Sequence, residues 1–136
     1  MIALLVAIVM STAQQPGAIE TIVRDNMSVV DDARQAVANT QAEWAALWRA
    51  HNSAAPTPAV DFSKRTVVAV FLGTRPSAGY SVEVTGTKRD GKTLIVEWRE
   101  FPPQPGNLSA QVLTSPAHIA SIPKFDGEIR FVKVDR

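Results

Sequence analysis

The sequence predicts an α+β domain: a mainly antiparallel sheet of about six or seven strands, rolled or sandwiched, with one helix packed on it. Three observations carry this. Residues 67–72 are six apolar residues in a row, rich in Val and stopped by Gly73, as in a strand buried on both faces. Residues 41–51 carry a helix cap and an apolar stripe at helical spacing. Residues 80–84 alternate apolar and polar, and Leu94, Val96 and Trp98 share one face beyond a turn that contains Asp90-Gly91, the mark of paired strands covered on one side.

The chain has 136 residues, enough for one domain with a genuine core. Its 14 basic and 13 acidic residues are interspersed and leave a net charge of +1, so the clustered basic footprint of a nucleic-acid binder is missing. With no cysteine, disulfides, thiol catalysis and thiolate metal sites are excluded together. Residues 1–13 read as a cleaved export signal. The apolar run 2–10 fits the ~7–15 residues of a signal core and falls short of a membrane span, and Ser11, Thr12 and Ala13 supply small residues for cleavage. No Lys or Arg precedes the run, which departs from the usual charged start of a signal. The expectation is a single domain over 14–136, periplasmic or extracellular, with no membrane span once the signal is removed.

Residues 19–27 alternate loosely and are expected to form a strand. Asp31-Asp32 turns into a second short strand, 33–38, with Ala36 and Ala38 on one face and Val37 on the other. The two would pair as an edge hairpin. Thr40 and Glu43 then match a capping box, in which hydroxyl and carboxylate satisfy free amides of the first turn. Trp44, Leu47, Trp48 and His51 follow at i, i+3, i+4 and i+7, a single stripe that docks on the sheet. Pro56 and Pro58 make residues 53–59 a loop. After Gly73, the loop 74–79 is set by Pro76, which fixes φ, and Gly79, which permits φ > 0. Bringing Tyr80, Val82 and Val84 to the same face as Leu94, Val96 and Trp98 requires an odd-numbered connection. Arg89-Asp90-Gly91 is therefore expected as a three-residue loop with Gly91 left-handed, leaving Glu83, Thr85, Glu97 and Arg99 outside and Glu83 near Arg99. Residues 102–107 form a stiff Pro-rich loop. Strands are expected over 109–114, over 117–122 after a kink at Pro116, and over 128–134.

Signs of catalysis are sparse. No serine has the G-x-S-x-G setting of a nucleophile elbow, and the Gly73 loop opens no helix that could cradle a phosphate. Two histidines cannot complete a zinc site alone; His51 is expected to stabilise a helix C-terminus. The carboxylates fall on turns or solvated faces. No cofactor, metal or catalytic residue is assigned, and the chain is expected not to be an enzyme. What remains is a surface: Arg75, Pro76, Gly79 and Tyr80, with Phe101, Pro102 and His118 near them. Tyr and Arg are the residue types enriched at interface anchors.

The stretch from about 67 to 132 resembles the C-terminal domain of PrcB-type protease-complex subunits. The likeness lies in the apolar strand ending at Gly73, in Pro76-x-x-Gly79-Tyr80-Ser81, in Glu100 with Pro102, and in Thr114-x-Pro116-x-His118-Ile119. Residues 43–48 also look like the segment that precedes this domain in small stand-alone relatives. Ala117 departs from the pattern, where an aromatic is expected before the His-Ile pair. The resemblance implies an exported, non-enzymatic subunit that stabilises or assembles a protease partner. The Pro76–Tyr80 segment is also similar to the reactive loop of chagasin-type inhibitors of papain-like proteases, in which a Gly-Tyr turn plugs the cleft. A third reading, an envelope polymer-binding module, would rest on Trp44, Trp48 and Trp98.

Overall fold

The computed structural model describes residues 18–106 and 109–135. The expected export segment, 1–13, lies outside the described residues. Seven strands and one helix follow in the order β1 (Glu20–Asp25), β2 (Arg34–Ala38), α1 (Gln41–His51), β3 (Arg65–Phe71), β4 (Ser81–Asp90), β5 (Thr93–Phe101), β6 (Ala117–Pro123) and β7 (Glu128–Lys133). They form a four-stranded sheet, β1-β6-β3-β2, and a three-stranded sheet, β4-β5-β7. Every pair is antiparallel except β5–β7, which is parallel.

The central strand explains the layering. On one face of β3, Val67, Ala69 and Phe71 meet Ala38, Trp44, Trp48, Ala117 and Ile119 in a core beneath the helix. On the other face, Val68 and Val70, with Leu72 just beyond, meet Val82, Val84, Leu94, Val96, Ala120 and Ile122 between the sheets. The order is helix, four-stranded sheet, three-stranded sheet, and the two-faced apolar run is its middle. Gly73 ends the strand at φ +83°; a Cβ there would stand 2.9 Å from the Ala33 amide nitrogen.

The helix forms as its cap predicts, with one difference. Glu43 N–H donates to Thr40 Oγ1 at 3.1 Å, but the returning carboxylate takes the amide of Asn39, at 2.8 Å, and not that of Thr40. Trp44 and Trp48 are buried, and their indole N–H groups donate to Pro58 O (2.7 Å) and Ala55 O (2.9 Å). These bonds fold the Pro-rich loop back on the helix. They also remove both rings from any sugar-binding platform.

Three expectations of pairing and one of local structure are corrected. β1 and β2 do not form a hairpin. Each is an edge of the same sheet, β1 against β6 and β2 against β3. Their partners lie far along the chain, where local turn chemistry carries no signal. The β4–β5 connection is a two-residue turn, Gly91-Lys92, because Asp90 pairs with Thr93. Gly91 is left-handed, at φ +63°, as the first position of a primed hairpin turn requires. The change of parity comes from a bulge between Val84 and Gly86. It keeps Val82 and Val84 on the same inner face as Leu94, Val96 and Trp98 with no need for an odd loop. Glu83 and Arg99 are register partners, but the Arg99 guanidinium lies 4.6 Å from the Phe101 centroid, and the nearest cation to Glu83 is Arg24, at 4.0 Å. Residues 109–113 are not a strand. Only Thr114 and Ser115 make isolated bridges, to Arg75 and Met27.

Candidate functional site

The Arg75 side chain ties the loop between β3 and β4 to β5. Arg75 donates to both oxygens of Glu100, Nε to Oε2 at 2.8 Å and Nη2 to Oε1 at 3.2 Å. Its Nη1 donates to the carbonyls of Leu72 and Thr74, both at 3.1 Å. A planar guanidinium with several fixed donors can close all of these at once, which a lysine could not. Lys133 Nζ adds a bond to Glu100 Oε1 at 3.3 Å. The Arg75 hydrogen bonds hold the Glu100 carboxyl below the usual carboxylate range, against its partial burial and with help from Lys133. The backbone is fixed as well. Arg75 and Thr114 exchange N–H···O bonds of 2.8 and 2.9 Å, and Ala78 N–H donates to Ala110 O at 2.9 Å. The loop therefore lies flat against 110–114.

Gly79 does not take positive φ; among the described residues Gly73, Gly91 and Gly106 do. The reason for glycine is space, since a Cβ at 79 would lie 2.8 Å from both Cβ and Cγ of Pro103. A proline ring cannot swing aside. Gly79→Ala should cost about 1–3 kcal/mol by overpacking, read as a lower urea midpoint. Arg75→Ala should cost about 1–3 kcal/mol, because it strips Glu100 and the Leu72 carbonyl of a charged donor. The same titration checks it.

The expected site residues separate into groups. Arg75, Pro76, Gly79 and Tyr80 stand together, with Pro76 exposed, Tyr80 half-buried and the Arg75 guanidinium 6.0 Å from the Tyr80 centroid. Phe101 is their neighbour through its pairing with Ser81. Pro102 lines a different groove, of about 410 Å³, with Arg99, Glu100 and Lys133. A groove of about 510 Å³ lies beside Tyr80, with Arg24, Asp25 and Asn26 on one wall and residues 78–81 on the other.

His118 is no part of this surface. It is 2% exposed. Val84 N–H donates to its Nδ1 at 2.8 Å, and its Nε2 is 2.8 Å from Thr21 Oγ1. Because Nδ1 accepts a backbone amide, the ring is neutral with its proton on Nε2. Burial, with Arg24 nearby, pushes its pKa down to about 4. The sequence set it beside the loop through Pro116; the strand alternation instead turns it inward, between the sheets.

His51 is also not a charged helix end. Its Nδ1 is 2.9 Å from Ser28 Oγ, and its ring centroid is 5.1 Å from that of Trp48. Burial pushes its pKa down, opposed by Asp25, whose carboxylate is 3.9 Å from Nε2. Ser28, His51 and Asp25 are residue types of a hydrolytic triad. Yet Ser28 and His51 are 8% and 2% exposed, Ser28 Oγ already accepts Val30 N–H at 3.1 Å, and the Asp–His distance exceeds a hydrogen bond. The trio ties residues 25–30 to the helix end. Among the described residues no three His, Asp or Glu side chains group closely enough to hold a metal ion.

Lys133 and Arg24 shape the site without standing out in the sequence. Glu100 carried a signal in its motif with Pro102, and Pro103 in the Pro-rich loop expected beside the surface.

Fold and site together define a three-layered, β-rich α+β domain that presents a clamped loop beside an open groove. Residues 66–123 match the family model described as PrcB C-terminal, and over this stretch the chain carries a PrcB-type C-terminal domain. The match runs from Thr66 in β3 to the last residue of β6, and so takes in the clamp, the hairpin and residues 114–118. No curated protein and no solved structure matches the chain.

Proposed function

We propose that this chain is a non-catalytic protein-binding subunit that works outside the cytoplasm and accompanies a protease. One observation carries the reading: Arg75 and Glu100 hold the 74–80 loop so that Pro76 and Tyr80 reach the surface beside a groove. A surface already in its binding conformation loses little freedom on association, and an aromatic next to an arginine is a common anchor. The protease enters through the PrcB-type domain, named for a subunit that accompanies a surface protease. The flat lie of the loop against 110–114 favours docking over the wedge that a cleft-plugging inhibitor would need.

The test is co-purification of the tagged full-length chain from envelope extract, joined to the half-life of the recovered protease in cells with and without the chain. A protease should elute with the chain, and removing the chain should shorten its lifetime. Elution without any protease, or inhibition of papain at sub-micromolar dose, would overturn the reading.

A further inference from the structure

β7 ends its sheet, with β5 on one side and no described strand on the other. One hydrogen bond sets the parity of its backbone: Val134 N–H donates to Trp98 O at 2.8 Å, just past the end of the parallel pairing with β5. In a strand the N–H and C=O of one residue point to the same side, and those of the next residue to the other. Glu128, Arg130 and Val132 therefore turn theirs to β5, while Ile129, Phe131 and Lys133 turn theirs outward. Among the described residues, no hydrogen bond from another segment reaches these outward groups. Free edges in soluble proteins are commonly blunted, and two others in this fold are. Arg24 and His118 cap β4 at Val82 O and Val84 N–H, both at 2.8 Å, and β1 bulges between Thr21 and Val23. β7 has no such cap among the described residues, and its register runs on without bulge or proline. Ile129 and Phe131 pack at the margin of the inter-sheet core and stay half-buried there.

We propose that β7 pairs with β7 of a second copy of this chain, antiparallel about a two-fold axis at Phe131, so that one sheet runs through both. The strand is its own complement in this register. The axis sets Phe131 against Phe131 of the second copy and Ile129 against its Lys133, so every outward N–H and C=O of the strand finds a partner. It also brings the two Phe131 rings side by side, covering the open margin of each core with the other. On the outer face Arg130 lies opposite Val132 of the second copy, so no like charges are directly opposed, and Arg130 keeps its Asp90 partner at 3.5 Å. An axis one residue earlier would set the two Arg130 side chains face to face; one residue later would leave Ile129 without a strand partner. The inference goes beyond the docking reading and does not depend on it. β4 and the loop before it lie at the other edge of the sheet, so pairing through β7 leaves that loop free in both copies.

The chain has no cysteine, so introduced thiols report the register without interference. In the proposed pairing, Arg130 and Val132 of the second copy are a non-hydrogen-bonded pair with Cα atoms about 4.5 Å apart, within disulfide range. Full-length Arg130→Cys mixed with a tagged full-length Val132→Cys should therefore form the mixed disulfide readily under mild oxidation. Glu128→Cys mixed with the same tagged chain places the thiols on a diagonal of about 7–8 Å and should cross-link about tenfold more slowly or less. The unaltered full-length chain should pass from monomer to dimer in sedimentation equilibrium between about 10 and 500 µM. Over the same range the amides of Ile129, Phe131 and Lys133 should gain protection from hydrogen exchange, while those of Arg130 and Val132, already bonded to β5, should not change. A chain that stays monomeric throughout, or a cross-linking preference for the Glu128 pair, would overturn the proposal. So would protection of the three outward amides in the dilute monomer, a dimer protected elsewhere, or an edge that pairs only with a different protein.

Discussion

Replacing Trp44 with alanine is expected to cost about 3–5 kcal/mol, the range for removing a fully buried aromatic. The ring has no exposed surface and its centroid is 5.6 Å from that of Trp48. Its indole N–H is the donor that holds Pro58 O. The substitution thus empties the centre of the helix-side core and frees the loop that closes over it. Against a total stability of about 5–15 kcal/mol for a domain of this kind, the variant should be marginal at 37 °C. Trp44→Phe separates the two contributions. It retains most of the packing and orphans the carbonyl, so its loss should be nearer 1–3 kcal/mol. Urea titrations of the three proteins measure both. A Trp44→Ala variant as stable as the parent would mean that the helix is not a structural layer.

The second large effect is acid sensitivity at His118. The ring is neutral in the folded chain with a pKa of about 4, against 6.5 as the ordinary value. Between these limits the unfolded chain binds a proton that the folded chain refuses, so stability falls as pH falls. The contribution is complete above pH 6.5 and is lost by about pH 4. A shift of this size corresponds to about 3 kcal/mol. The structural reason is direct: a proton on Nδ1 would face the Val84 N–H, and the new cation would lie near Arg24. His51, also lowered by burial, adds in the same direction. His118→Gln should be weaker at pH 7 and should lose the steep fall between pH 6 and 5, where one proton amounts to about 1.4 kcal/mol per pH unit. Equal slopes for parent and variant across that interval would contradict the assignment.

Legibility in the sequence followed locality. β3 could be read because both of its faces are apolar, and α1 because its cap and stripe lie within one short window. The inward set of the β4–β5 hairpin could also be read, but not the means of reaching it. An odd loop and a bulge at Val84/Gly86 change the parity equally, and hydrophobic alternation does not distinguish them. Pairing across long separations left no trace. The sequence did not distinguish β1 beside β6 from β1 beside β2, nor show that β7 runs parallel to β5. At the site, residue types were the guide, so Arg75 and Tyr80 stood out. The role of Gly79 did not, because the need for glycine comes from Pro103 across the fold and not from its own φ. His118 was misplaced for the same kind of reason, since Pro116 marks a kink but not the direction in which the next strand turns its side chains.

The clamped loop as a docking surface is the centre of the account, and Tyr80→Ala tests it most directly. The ring is half-buried at the edge of the loop and outside both apolar cores, so its loss should leave the melting temperature within a few degrees of the parent. Protease recovered per mole of chain should fall by about tenfold or more, the loss expected of an interface anchor. Undiminished recovery by a Tyr80→Ala chain that melts with the parent would contradict it.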